Sequence, residues 1–257
     1  MTGKLKRFVA LYDSHFPYQI PAYYNPRKQE SPILSFLKDF DPHVLIDGGD
    51  ALDLDVISHW NKGRPRLTEG GRLKKVYDDY NRFLDLRQKH LKSLEKWAVL
   101  EGNHERWIHD LLDESPVFEG MVEIPVNLKL KERGAEWVEQ RGHYKLGHLY
   151  FIHGDYKKGY AATYTAKAIA GIYGKSVVFG HFHSNQVYSA VTPFDELPYQ
   201  VQGVGCLCGL NPIWRRNEAS AWVNALAYGY IQPDGRYNLY VANIVENRFV
   251  VEGEIYK

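Results

Sequence analysis

The sequence predicts an α/β fold with α+β character, organised around a largely parallel sheet. Three observations carry that prediction. The chain opens strand–helix–strand, the βαβ unit that brings two strands parallel. Short apolar runs recur with turn or polar residues directly behind them, as strands buried on both faces do. After Gly134 the hydrophobic period shifts from helical toward alternating, which adds hairpins to the sheet.

Taken in order, Phe8–Tyr12 reads as the first buried strand and ends at Asp13-Ser14-His15. A loop with prolines at 17, 21 and 26 follows. Ser31 is an N-cap with Pro32 in the first turn; Ile33, Leu34, Leu37 and Phe40 give the helix one apolar face, and Asp41-Pro42 stops it. Val44-Leu45-Ile46 is the next strand, ended abruptly by Gly48-Gly49. Asp50 stands at its carboxyl end, where open α/β sheets place their ligand crevices. A turn aspartate capping a helix is the plainer reading of Asp50 taken alone. From Lys62 to Lys75 six basic residues face the single acid Glu69. A solvated face and a phosphate-backbone contact are equally open readings of that run. Leu73, Val76, Tyr77, Tyr80, Leu84, Leu91 and Leu94 then predict a long amphipathic helix to about Trp97, within a helical insertion over about 56–97. Ala98-Val99-Leu100 is a third buried strand, ending at Glu101-Gly102-Asn103-His104-Glu105, with helical segments over Trp107–Leu130. Trp137-Val138, His143–Leu146 and Leu149–Ile152 read as strands, the last two a hairpin at Gly147-His148. The last ends at His153-Gly154-Asp155. A helix over Ala161–Ala170 precedes the strand Ser176–Phe179, which ends at Gly180-His181-Phe182-His183. Further strands are expected over about 186–257, with a turn at Pro233-Asp234-Gly235. Trp214-Arg215-Arg216 is an aromatic-basic cluster to which no role is assigned. No repeat or linker divides the chain, so one domain over 1–257 is expected.

Composition narrows the function classes. Formal net charge is +1, so affinity for a polyanion has to come from a local patch. Cys206 and Cys208 are too few for a disulfide scaffold and read as buried thiols on a strand of a protein in a reducing compartment. No apolar stretch reaches membrane-span length and no signal peptide is visible, so a cytoplasmic protein with no membrane partner is expected.

Five predicted strands end in metal-ligand chemistry: Asp13-x-His15, Asp50, Asn103-His104, His153 and His181-x-His183. A lone histidine is more often a packed or surface residue, and His43, His59, His90, His109, His143 and His148 are such residues here. Five strand tips of this kind, side by side on a parallel sheet, are hard to attribute to chance. Carboxylate, imidazole and amide oxygen without thiolate suit Mn²⁺ first, with Fe, Zn²⁺ and Ni²⁺ as alternatives. Asp13, His15, Asp50, Asn103, His153, His181 and His183 are too many for one ion and suit two divalent metal ions sharing a carboxylate.

Asp-x-His, Gly-Asp-x-x-Asp, Gly-Asn-His-Glu, His-Gly and Gly-His-x-His, in this order, resemble the calcineurin-like metallophosphoesterase superfamily, in its phage or bacterial form. The resemblance spans Asp13–His183 and implies a four-layer αββα sandwich of two mixed β-sheets flanked by helices. It assigns Asp13, His15, Asp50 and His183 to one metal and Asp50, Asn103, His153 and His181 to the other, with Asp50 as the bridge. His104 matches the family's general acid, and Asp53 the carboxylate that orients it. The implied reaction is phosphoester hydrolysis, in which the two ions make a hydroxide available to attack phosphorus and His104 protonates the leaving group.

Protein phosphatases that the motifs resemble follow the second aspartate with arginine; Leu54 stands here. Arg106, His59 and Trp60 are expected substrate-binding residues, Trp60 and Tyr77 being equally readable as core. The expected substrate is a phosphodiester, a nucleotide or nucleic acid. Phosphomonoesterase activity, on protein or small molecules, is the alternative, and a non-catalytic scaffold the third reading. The oligomeric state is left open.

Overall fold

The computed structural model describes residues 3–155, 164–191, 193, 197–212 and 221–257. Strand β1 (Lys6–Leu11) buries Phe8 and Ala10 on one face and Val9 and Leu11 on the other. Both faces are covered, which is why the apolar run is continuous. Helix α1 (Pro32–Phe40) begins where Ser31 Oγ accepts the Leu34 N–H at 3.2 Å, and Asp41, in the left-handed region, ends it. The chain returns as β2 (Val44–Asp47), parallel to β1.

Next come two short 3₁₀ turns, Asp55–Ile57 and His59–Asn61, the turn α2 (Pro65–Thr68) and the long helix α3 (Leu73–Gln88). The helix expected to reach Trp97 therefore stops nine residues earlier, because β3 (Lys96–Leu100) already holds Trp97. Asp41 forms the connection by accepting the N–H groups of Lys92 and Ser93, each at 2.9 Å. Leu91 is buried in that connection, so its apolar spacing reports packing and not helix.

Helices α4 (Trp107–Glu114) and α5 (Ile124–Asn127) lead to β4 (Ala135–Val138). The hairpin β5 (Tyr144–Leu146) and β6 (Leu149–Ile152) turns at Gly147-His148 as expected. Helix α6 runs Thr165–Tyr173; residues 161–163 of the expected helix, like Trp214-Arg215-Arg216, lie outside the described residues. Strands β7 (Ser176–Phe179), β8 (Gln186–Ala190), β9 (Tyr199–Gly203), β10 (Ala225–Ile231), β11 (Tyr237–Asn243), β12 (Phe249–Val251) and β13 (Glu254–Tyr256) complete the chain. Cys206 and Cys208 are buried as expected, but they sit at isolated bridges beside β9 and not within a strand.

Two mixed sheets result. One has the order β11-β10-β1-β2-β3-β4, with β1 to β4 parallel; the other is β5-β6-β7-β9-β8, with β6, β7 and β9 parallel. Phe8, Ile46 and Ala98 of the first meet Phe151 and Val178 of the second in an inter-sheet core. The opposite face of the first sheet, with Leu45 and Val99, packs on Leu34 and Phe36 of α1 and Tyr80 and Phe83 of α3. The far face of the second, with Val177 and Val201, packs on Ala166 and Ile169 of α6. The layers are helix, sheet, sheet, helix. Arg87 of α3 is fully buried, and its two terminal nitrogens reach the Asp47 carboxylate at 2.8 and 2.6 Å. That pair ties the outer helix to the strand that delivers Asp50.

Candidate metal centre

The carboxyl ends of β1, β2, β3, β6 and β7 converge at one edge of the two sheets, and the seven expected ligands meet there. His15 Nε2 lies 3.3 Å from His183 Nε2 and 3.8 Å from Asp50 Oδ2, and Asp13 Oδ1 lies 3.5 Å from His183 Nε2. On the other side of Asp50, its Oδ2 is 3.3 Å from His153 Nε2, which is 3.1 Å from Asn103 Oδ1. His181 packs edge-on to His153, with ring centroids 5.2 Å apart. Asp13, His15 and Asp50 offer ligand atoms all within 4.8 Å of one another, as do Asp50, His153 and His181. Asp50 belongs to both groups.

The backbone at this edge is unusual. Asp13, His15, Asp50, His181 and His183 all have positive φ, between 46° and 64°. Left-handed backbone is uncommon for side chains with a Cβ, though Asp and His adopt it more readily than most, and five such residues gather at this one edge. Glycine supplies the clearance: a Cβ on Gly102 would sit 2.2 Å from Asp50 Oδ1, and one on Gly49 2.5 Å from His153 Nδ1.

The donor set fits metal. Asp13 Oδ1 is buried with no hydrogen-bond partner, and the His15 and His183 Nε2 atoms lie 3.3 Å apart, close enough for both to turn a lone pair toward one cation. His153 Nδ1 donates to the Gly48 carbonyl at 3.1 Å, which leaves Nε2 as a ligand atom, the usual arrangement around a metal histidine. Buried His/Asp groups here can therefore hold a metal ion.

Protonation supports the same reading. Burial opposes charge on His153 and His183, but the Asp50 and Asp13 carboxylates beside them outweigh it and push each ring up to about 10. Burial and the charge on His153 push His181 down to about 4. Without metal, the site balances its carboxylates with imidazolium.

His104 stands at the rim. Its Nδ1 donates to the Asp53 carbonyl at 2.7 Å, which leaves Nε2 free for another partner. The Asp53 carboxylate reaches His15 Nδ1 at 3.1 Å and is 3.8 Å from His104 Nδ1, so Asp53 holds His104 through its main chain and a ligand through its side chain. Burial lowers the His104 pKa, partly countered by the Asp50 charge. Arg106 is half-buried, and its guanidinium makes no ion pair among the described residues. His59 and Trp60 are exposed, and Leu54 is fully buried.

Glu105 is the residue the sequence reading passed over. Buried beneath the loop, its carboxylate accepts the N–H groups of Asp50, Leu52 and Gly102, each at 2.9 Å, and burial together with the Asp50 charge pushes it up to about 7. It lies within Gly-Asn-His-Glu, and that placement was the available signal. Trp107 against His104 and Trp222 against His183, each with centroids 4.1 Å apart, were not signalled by spacing.

No protein-family model matches the chain, and no curated protein matches it. Among solved structures, Vps29 from Chaetomium thermophilum is similar at 11% identity and a TM-score of 0.48, over 98% of each chain. A conserved protein from Streptococcus pneumoniae TIGR4, described as a predicted phosphoesterase, is similar at 10% identity and a TM-score of 0.39, over 99% of this chain and 97% of that one.

Proposed function

We propose that the chain is a phosphoester hydrolase that works with two divalent metal ions and prefers phosphodiesters of a nucleotide or nucleic acid. One observation carries this reading: seven carboxylate, imidazole and amide ligands share an edge around Asp50, with the free Nε2 of His104 beside them. Asp13, His15, Asp50 and His183 would hold one ion, and Asp50, Asn103, His153 and His181 the other. Bound there, such ions supply an activated water near neutral pH and neutralise the phosphate oxygens that repel it.

The chain's own groups do the rest. Asp53 fixes the His104 ring through its carbonyl and leaves Nε2 for the leaving oxygen, to which the ring gives a proton when it is in its imidazolium form. Glu105 pins the Asp50 loop by three N–H contacts and so fixes the distance between the two ligand groups. Arg106, with no ion pair among the described residues, is available to the non-bridging phosphate oxygens. Leu54, where protein phosphatases resembling this sequence carry arginine, disfavours a phosphoprotein substrate.

Hydrolysis of bis-p-nitrophenyl phosphate and of p-nitrophenyl phosphate with added Mn²⁺ tests the reading. Faster turnover of the diester is expected. Preference for the monoester would replace diesterase by monoesterase, and inactivity toward both would sink the enzymatic reading.

A further inference from the structure

Trp60 is 70% exposed, so the core does not hold its ring in place. It leans against His59, with centroids 4.6 Å apart and planes tilted by 40°. His59 meets Trp107 edge-on at 6.0 Å, and Trp107 lies on His104 at 4.1 Å. A shelf built of successive ring contacts, tilted and edge-on, thus links His104 to the exposed Trp60. His104 also meets His15 edge-on at 4.4 Å, so it stands between the seven clustered side chains and the exposed Trp60.

Beside the shelf lies a cavity of about 280 Å³, walled by Val56, Ile57, His59, Thr68, Trp107 and Leu111. Lys62 and Glu114 pair across its mouth at 3.2 Å. The turn that carries the rings is fixed: Asn61 Nδ2 donates to the Asp55 carbonyl at 3.0 Å, and Ser58 Oγ accepts the Trp60 N–H at 3.3 Å. Next in the chain, Arg64 and Arg66 are exposed and make no ion pair among the described residues. Lys74 and Lys75, farther along the basic run, are paired with Asp78 and Asp79. The volume is near the lower end for ligand pockets and suits one ring system.

We propose that this shelf and cavity bind the nucleobase of the nucleoside that departs when the diester is cleaved. The inference rests on the diesterase reading above. Water gives one proton to solvent and adds its oxygen to phosphorus, the bond from phosphorus to the departing nucleoside oxygen breaks, and protonated His104 gives that oxygen its proton and is reprotonated from solvent. Whatever hangs from that oxygen leaves on the His104 flank, where the rings are. Aromatic faces recognise a base without reading sequence, and Arg64 and Arg66, exposed a few residues along and without an ion pair among the described residues, offer charge to its phosphate.

The test compares a dinucleotide diester with its counterpart in which the departing nucleoside is replaced by an abasic tetrahydrofuran unit, both with Mn²⁺. The wild-type protein is expected to favour the base-bearing diester in kcat/KM by roughly 5- to 150-fold, the range of stacking on one aromatic residue. Trp60→Ala should bring that ratio close to one, and Trp60→Phe should retain most of it. Equal cleavage of both diesters by the wild-type protein, or an undiminished ratio in Trp60→Ala, overturns the shelf while the diesterase reading stands. Cleavage of neither diester overturns both.

Discussion

At the scale of single residues, the proposed centre would separate groups that bind metal from groups that position them. The Nδ1 of His104 is held by the Asp53 carbonyl, which leaves one role for the other nitrogen. His104→Asn should retain metal content, measured by atomic emission, while kcat falls about 10²–10⁴-fold, the usual contribution of general acid catalysis. Near-normal turnover would remove His104 as the acid. Glu105 acts at one remove. Glu105→Ala leaves the N–H groups of Asp50, Leu52 and Gly102 without their acceptor, and a loosened Asp50 should weaken metal binding by about 10- to 100-fold in calorimetric titrations. The imidazoles add a pH signature. His153 and His183 sit at about 10 in the metal-free fold, so both carry protons at neutral pH, and ligation has to displace them. A raised folded-state pKa stabilises the metal-free fold fully below the unfolded value of about 6.5 and loses that contribution as pH rises through 10. Metal affinity should therefore climb from neutral pH toward 10, with about two protons released per loaded site, as read from titrations in buffers of different ionisation enthalpy. Affinity independent of pH would contradict the pairing of these rings with Asp50 and Asp13.

Among the elements, α3 and β2 depend on one another. Arg87 is held between the Phe83 and Trp97 rings, at 5.5 and 4.9 Å, while its fork grips Asp47. Trp97 Nε1 also donates to Asp47, so the carboxylate serves two partners. Breaking a buried pair from one side leaves a charge uncompensated, and Arg87→Met should cost about 3–5 kcal/mol in urea unfolding. A loss under about 1 kcal/mol would mean that Asp47 gains no stability from the pair. The elements legible in the sequence were those whose signals are local. Ser31-Pro32 marked the start of α1 correctly because cap chemistry is decided within four residues. The end of α3 was not legible, since Leu91 and Trp97 keep a helical spacing while they pack from a turn and a strand, and Asp41, 51 residues before Lys92, sets the turn.

Across the whole molecule, the two sheets explain why scattered motifs form one centre. Each ligand sits where a parallel strand ends, and packing the sheets face to face brings the tips of β1, β2 and β3 against those of β6 and β7. The tips were readable because Asp, Asn and His directly after apolar runs are a local pattern. Trp107 and Trp222 were not, because their proximity to His104 and His183 comes from tertiary packing with no spacing rule. The central claim is that these tips hold two cations around Asp50. Crystals grown with Mn²⁺ and measured for anomalous scattering test it most directly. Two peaks about 3.5–4 Å apart, both in contact with the Asp50 carboxylate, are the result expected of such a centre. A single peak, or two that do not share Asp50, would contradict it.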